Sequence, residues 1–97
     1  MSIKHHIYLI SDSTGETIDR IFMALKAQFE GFKYEVHQFS FTRTENQISQ
    51  ILEEAAKNKE SIILYTIVDS RLSNYLTEET LKKNMNLSIF KNLITSL

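Results

Sequence analysis

His6-Ile7-Tyr8-Leu9-Ile10 runs directly into Ser11-Asp12-Ser13-Thr14-Gly15-Glu16-Thr17. The first part is β-favouring and nearly continuous in its apolar character, which suits a strand buried on both faces, as in a parallel sheet covered by helices. Past Thr14 the period changes. Ile18, Ile21, Phe22, Leu25 and Phe29 recur on one helical face, with Asp19, Arg20, Lys26 and Glu30 largely outside it. A strand feeding a polar, glycine-containing turn that opens a helix is a common place to hold an anion. The first backbone N–H groups of a helix lack internal partners, and the helix dipole favours negative charge there.

Outward from that turn, Gly31 stands where a left-handed residue would end the helix, with Phe32 able to fold back on the last turn. From Tyr34 to Phe41 the chain alternates: Tyr34, Val36 and Gln38 point one way, Glu35, His37 and Phe39 the other. This predicts a half-buried strand nearer a sheet edge. Thr44 and Gln47 fit a capping box before the stripe Ile48, Ile51, Leu52 and Ala55, and Lys57-Asn58-Lys59 closes that helix. Ser61-Ile62-Ile63-Leu64-Tyr65-Thr66-Ile67-Val68 predicts a central strand. Asp69-Ser70-Arg71 then turns into a third helix carrying Leu72, Tyr75 and Leu76, with Leu81 off the stripe and an end near Asn84. Leu87 to Phe90 reads as a stub of a fourth strand, and Lys91 to Leu97 as the start of a helix.

Repeated βα units with such connections imply parallel strands and right-handed crossovers. The expected fold is α/β: an open three-layer sheet, mainly parallel, of three to four strands with helices on both faces, incomplete at the C-terminus. The 97 residues allow one domain, read as the front portion of a larger α/β protein. A net charge of −1 gives no electrostatic footprint for nucleic acid or an anionic membrane. The absence of cysteine excludes disulfides and thiolate metal sites. No apolar run is long enough to span a bilayer, so the expected location is cytoplasmic.

Ligands of a parallel open sheet bind outside the carboxyl ends of the strands. Three loops meet that edge, at residues 11–17, 42–44 and 69–71. Together they offer hydroxyls, the carboxylates Asp12 and Asp69, the guanidiniums Arg43 and Arg71, and open helix-start N–H groups. These are the parts of a phosphate or phosphoryl-transfer site: donors for oxygens, and carboxylates to bind Mg2+ or accept a proton. Structural readings stand beside this one. Ser13 and Glu16 fit S-x-x-E, so Ser13 can cap the helix. Asp12 can form the turn, Asp69 can start the next helix, and both arginines can be solvated surface charges. Gly15 does nothing for capping and costs up to about 1 kcal/mol against alanine inside a first turn. It suits a place where a ligand or another backbone approaches closely. His5 and His6, adjacent on an extended segment, point to opposite faces, and His37 reads as a surface or packing residue, so no metal site is expected. Phe22, Phe29, Phe39 and Phe41 sit at core spacing. Only Gly15 and Gly31 are glycines, sixteen positions apart, so neither G-x-x-x-x-G-K-[ST] nor G-x-G-x-x-G occurs.

Ile7-Tyr8-Leu9-Ile10-Ser11-Asp12-Ser13-Thr14-Gly15-Glu16-Thr17 resembles the opening of the pyruvate, phosphate dikinase and phosphoenolpyruvate synthase regulatory proteins. Gln28-Phe29 at the helix end, Tyr65-Thr66-Ile67-Val68-Asp69, and the following Leu72 and Leu76 extend the likeness over about residues 6–85. The resemblance implies a bifunctional enzyme: an ADP-dependent kinase that phosphorylates a threonine of the target dikinase or synthase, and a phosphate-dependent phosphorylase that removes the group as pyrophosphate. Residues and resemblance meet at the same loop, where Ser11, Ser13, Thr14, Gly15 and Thr17 are expected to handle phosphate and Asp12 is a candidate for proton or metal work. Arg43 and Arg71 are weaker candidates from the edge loops alone. The family's nucleotide loop lies beyond the last residue here, and the segment from Asn86 lacks the expected proline. The chain is therefore expected to be an inactive piece on its own. The main alternative is a non-catalytic α/β interaction module that pairs its exposed helix faces with another chain, a second copy included. A third reading, a phosphoacceptor domain using Asp69, lacks the clustered acids and partnering lysine it needs.

Overall fold

The computed structural model describes residues 4–58, 60–83 and 90–92, with the backbone alone for 28, 29 and 90–92. In chain order the elements are β1 (Lys4–Ser11), α1 (Glu16–Leu25) continued by a short 3-10 turn (Lys26–Phe29), β2 (Lys33–Phe39), α2 (Glu45–Ala56), β3 (Ser61–Thr66), α3 (Ser70–Lys82) and β4 (Phe90–Asn92). The strands form one parallel sheet in the order β2-β1-β3-β4. The chain thus steps from β1 to one side and then crosses back to build on the other, which makes the gap between β1 and β3 the point where the winding reverses. This is the α/β open sheet the sequence predicts.

The apolar patterning explains the layers. Ile7, Tyr8, Leu9 and Ile10 are all buried, as is the whole of β3. Ile7 and Leu9, with Ile62 and Leu64, meet Ile18 and Phe22 of α1 on one face. Tyr8 and Ile10, with Ile63 and Tyr65, meet Ile48, Ile51, Leu52 and Ala55 of α2 and Leu76 of α3 on the other. Each such aliphatic side chain contributes roughly 1.5–3 kcal/mol by leaving water. α1 therefore covers one face and α2 with α3 the opposite one. No helix among the described residues is long and apolar enough to cross a membrane.

Several local expectations change. Phe41 lies beyond β2 and is half exposed, in a left-handed conformation (φ 53°), because its backbone is bound to the β1–α1 loop instead of a sheet neighbour. Phe32 meets His5 edge-on rather than folding onto the helix. The fourth strand falls at Phe90–Asn92, so Lys91 and Asn92 are strand and not the start of a helix. The expectations for Lys59, Asn84, residues 86–89 and residues 93–97, and for the Gln28 and Phe29 side chains, lie outside the described residues.

The capping box of α2 forms as predicted. Gln47 N–H donates to Thr44 Oγ1 (3.1 Å), while Gln47 Oε1 accepts from the backbone of Thr44 (3.0 Å) and of Arg43 (2.7 Å). Replacing Thr44 by alanine is expected to lower stability by about 1 kcal/mol, and replacing it by serine to change little. Urea denaturation of the two variants checks this.

Candidate functional site

The loops leaving β1, β2 and β3 do meet at the carboxyl edge, and they are sewn together mainly by backbone groups. Phe41 N–H donates to Ser13 O (2.9 Å) and Thr42 N–H to Ser11 O (2.8 Å), while Ser40 Oγ donates to Thr14 O (3.0 Å). Asp12 ties the other two loops to its own. Its carbonyl accepts from Arg43 Nε (3.0 Å), and its carboxylate Oδ2 accepts from Val68 N–H (2.9 Å) across the winding reversal. The Asp12 side chain thus joins its own loop to the one after β3 through Oδ2.

Ser11 is buried, and its Oγ accepts from Ser13 N–H (3.1 Å) and lies 3.3 Å from Ser13 Oγ. It shapes the loop from within. Gly15 is the residue immediately before α1, left-handed at φ 92°, and no side chain caps the helix. The Ser13–Glu16 capping box therefore does not form. Ser13 is held by Ser11 and Phe41 instead, and the helix starts two residues later than that box requires. The surroundings of Gly15 are crowded. A Cβ there would stand 2.5 Å from Gln38 Nε2 and 3.0 Å from Ser40 Oγ, so neighbouring side chains fill the space beside it. Scarcity of glycine signalled a close approach, but the approaching group is a side chain from β2.

What stays on the surface is a narrower set. Ser13, Thr14, Glu16 and Thr17 are exposed around the uncapped start of α1, with Arg43 beside them. The Arg43 guanidinium lies over the Phe41 ring at 5.2 Å and spends only Nε on Asp12, so its terminal amines remain for an anion. Glu16 and Asp19 in the first turn oppose an anion, and Arg43 offsets them. After β3, the backbone N–H groups of Arg71 and Leu72 are taken by Asp69 Oδ1, which caps α3. A groove of about 490 Å3 runs between β2 and α2 past Phe39, Gln50 and Lys57. It touches Ser40 and Thr42 but none of residues 11–17.

Two groups escape the sequence reading. Val68 N–H, from the loop after β3, and Gln38, from β2, act on the first loop, which no local spacing reveals. His6, Glu35 and His37 also converge, at the opposite end of β1.

The sequence profile of the kinase/pyrophosphorylase family matches residues 7–97. The chain is 55% identical over 95 residues to a protein of Pelagibacter ubique strain HTCC1062 named pyruvate, phosphate dikinase regulatory protein, covering 97% of this chain and 35% of that one. Proteins of the same name from Geotalea uraniireducens strain Rf4 (45% identical, 75% of this chain, 27% of that one) and Alkaliphilus oremlandii strain OhILAs (43% identical, 81% and 28%) match as well. The chain spans about a third or less of the length of these relatives.

Proposed function

Since the chain belongs to the kinase/pyrophosphorylase family, we propose that it supplies the phosphate-facing rim of a bifunctional enzyme that regulates a dikinase or synthase by reversible threonine phosphorylation. The observation that carries this reading is the uncapped start of α1 at the winding reversal, ringed by the Ser13, Thr14 and Thr17 hydroxyls and the half-free Arg43 guanidinium. Hydroxyls, a fork of N–H donors and helix-start amides are the donor set that phosphate oxygens need.

The same residues fit a nucleotide's phosphates but not its base, since the chain carries neither familiar glycine-rich loop. Recognition of ADP is assigned to the part of the relatives this chain does not span. Mg2+, should the reaction use it, would find here the carboxylates of Asp12, one oxygen of which is held by Val68, and of the exposed Glu16. Arg43 and the first-turn amides hold transferred oxygens in place, and Asp12 is positioned to take a proton from an attacking hydroxyl.

A chimera tests the reading. Residues 1–83 replace the matching segment of the Pelagibacter relative, and phosphate transfer to a dikinase is followed with ADP, then reversed with inorganic phosphate. Transfer in both directions is expected. Arg43→Ala should raise the phosphate KM of the reverse reaction, with Arg43→Lys intermediate. A chimera that folds and binds the dikinase without transferring phosphate would favour the interaction module instead.

A further inference from the structure

The parallel register of β1 and β2 sets His6 directly against Glu35 and Tyr8 against His37, and all four side chains lie on the α2–α3 face. At its outer end three ligand atoms come together. His6 Nδ1 lies 3.0 Å from His37 Nε2, His37 Nε2 lies 3.1 Å from Glu35 Oε2, and His6 Nδ1 lies 3.9 Å from the same oxygen. Two donors on one tetrahedral Zn2+ with bonds of ~2.0–2.1 Å stand roughly 3.3 Å apart, and the three observed separations bracket that value. We infer that His6, Glu35 and His37 form a binding site for one divalent transition-metal ion of the Zn2+ class, clamping the edge strand β2 to β1.

The surroundings hold each donor in place. Lys4 Nζ bonds Glu35 Oε1 at 2.8 Å, which turns Oε2 toward the imidazoles. The Tyr8 ring stacks on His37 at 4.6 Å and 12°, fixing the plane of the imidazole. Both histidine side chains are only about one-fifth exposed, 19% and 22%, so the imidazoles sit in a partly dry recess, and Glu35, 45% exposed, closes it on the solvent side. His5 is turned away and packs on Phe32.

Two imidazoles and one carboxylate favour zinc, cobalt or nickel over the all-oxygen sites of magnesium and calcium. Without metal, one ring donates its N–H to the other. Metal binding requires lone pairs from both, so the donating ring shifts its proton to its other nitrogen. Three protein ligands leave a fourth position for water. The site lies about 16 Å along β1 from Ser11, counting ~3.3 Å per residue, and is independent of the phosphate rim.

The test is titration of the tag-free chain with Zn2+, with Co2+ as a spectroscopic substitute. One ion per chain is expected, giving the visible bands of four-coordinate Co2+, with no competition from millimolar Mg2+. At a metal concentration 100 times the dissociation constant, the folding equilibrium constant should rise about a hundredfold. Glu35→Gln and His37→Gln should each weaken binding tenfold or more, whereas His5→Gln leaves it unchanged. Glu35→Gln keeps the shape of the side chain, so its result stands even if a histidine variant folds poorly. Absence of binding, equal binding of Mg2+, or full affinity in Glu35→Gln overturns the assignment.

Discussion

Asp12→Asn is expected to leave the fold within about 0.5 kcal/mol of the parent while reducing phosphate transfer in the chimera by ~10²–10⁴-fold. The amide oxygen of asparagine still accepts from Val68 N–H, so the tie between the β1 and β3 loops survives. What disappears is the negative charge and the capacity to take a proton. Asp12→Ala separates the two roles from the other side. It also removes the acceptor for Val68 N–H, but Val68 is exposed and water replaces the bond, so the loss of stability should be only about 1 kcal/mol. Thermal melts and single-turnover transfer on the two variants decide the matter: if Asn transfers phosphate normally, Asp12 only holds the loops together.

Gly15→Val should lower stability by about 2–4 kcal/mol, a large fraction of the ~5–15 kcal/mol typical of a whole domain. Two effects add. A β-branched residue at φ 92° is strained, and its side chain would press on Gln38 and on Ser40, whose hydroxyl holds Thr14. Gly31 supplies the internal control. It has nearly the same φ, 90°, but nothing within 4 Å of where a Cβ would stand. Gly31→Val should therefore show the backbone strain alone, and the difference between the two variants in urea denaturation measures the crowding. Equal losses would mean that Gln38 swings away freely. Either way, loss of transfer in a Gly15 variant reports on folding before it reports on chemistry.

The elements were legible where the information is local. Burial of every residue from Ile7 to Ile10 and the period-3.6 stripe of Ile18 and Phe22 follow from their own neighbours in sequence, as does the Thr44–Gln47 box. The site was less legible because its loop is set by partners far along the chain. Ser13 matches a helix-capping pattern, yet Phe41 N–H, twenty-eight residues later, takes its carbonyl and settles its conformation. The His6–Glu35–His37 group depends on the β1–β2 register, and His5 and His6 alone carry no trace of it. Strand order, which puts Val68 beside Asp12, is likewise a property of the assembled sheet.

One residue reaches both flanking loops: Asp12 takes Arg43 on its carbonyl and Val68 on its carboxylate. The mechanical result is that the three segments move as one stiff collar rather than as separate fingers. The distances between the three loops at this edge are thus set by one residue, and any change at Asp12 is felt in both neighbouring loops at once.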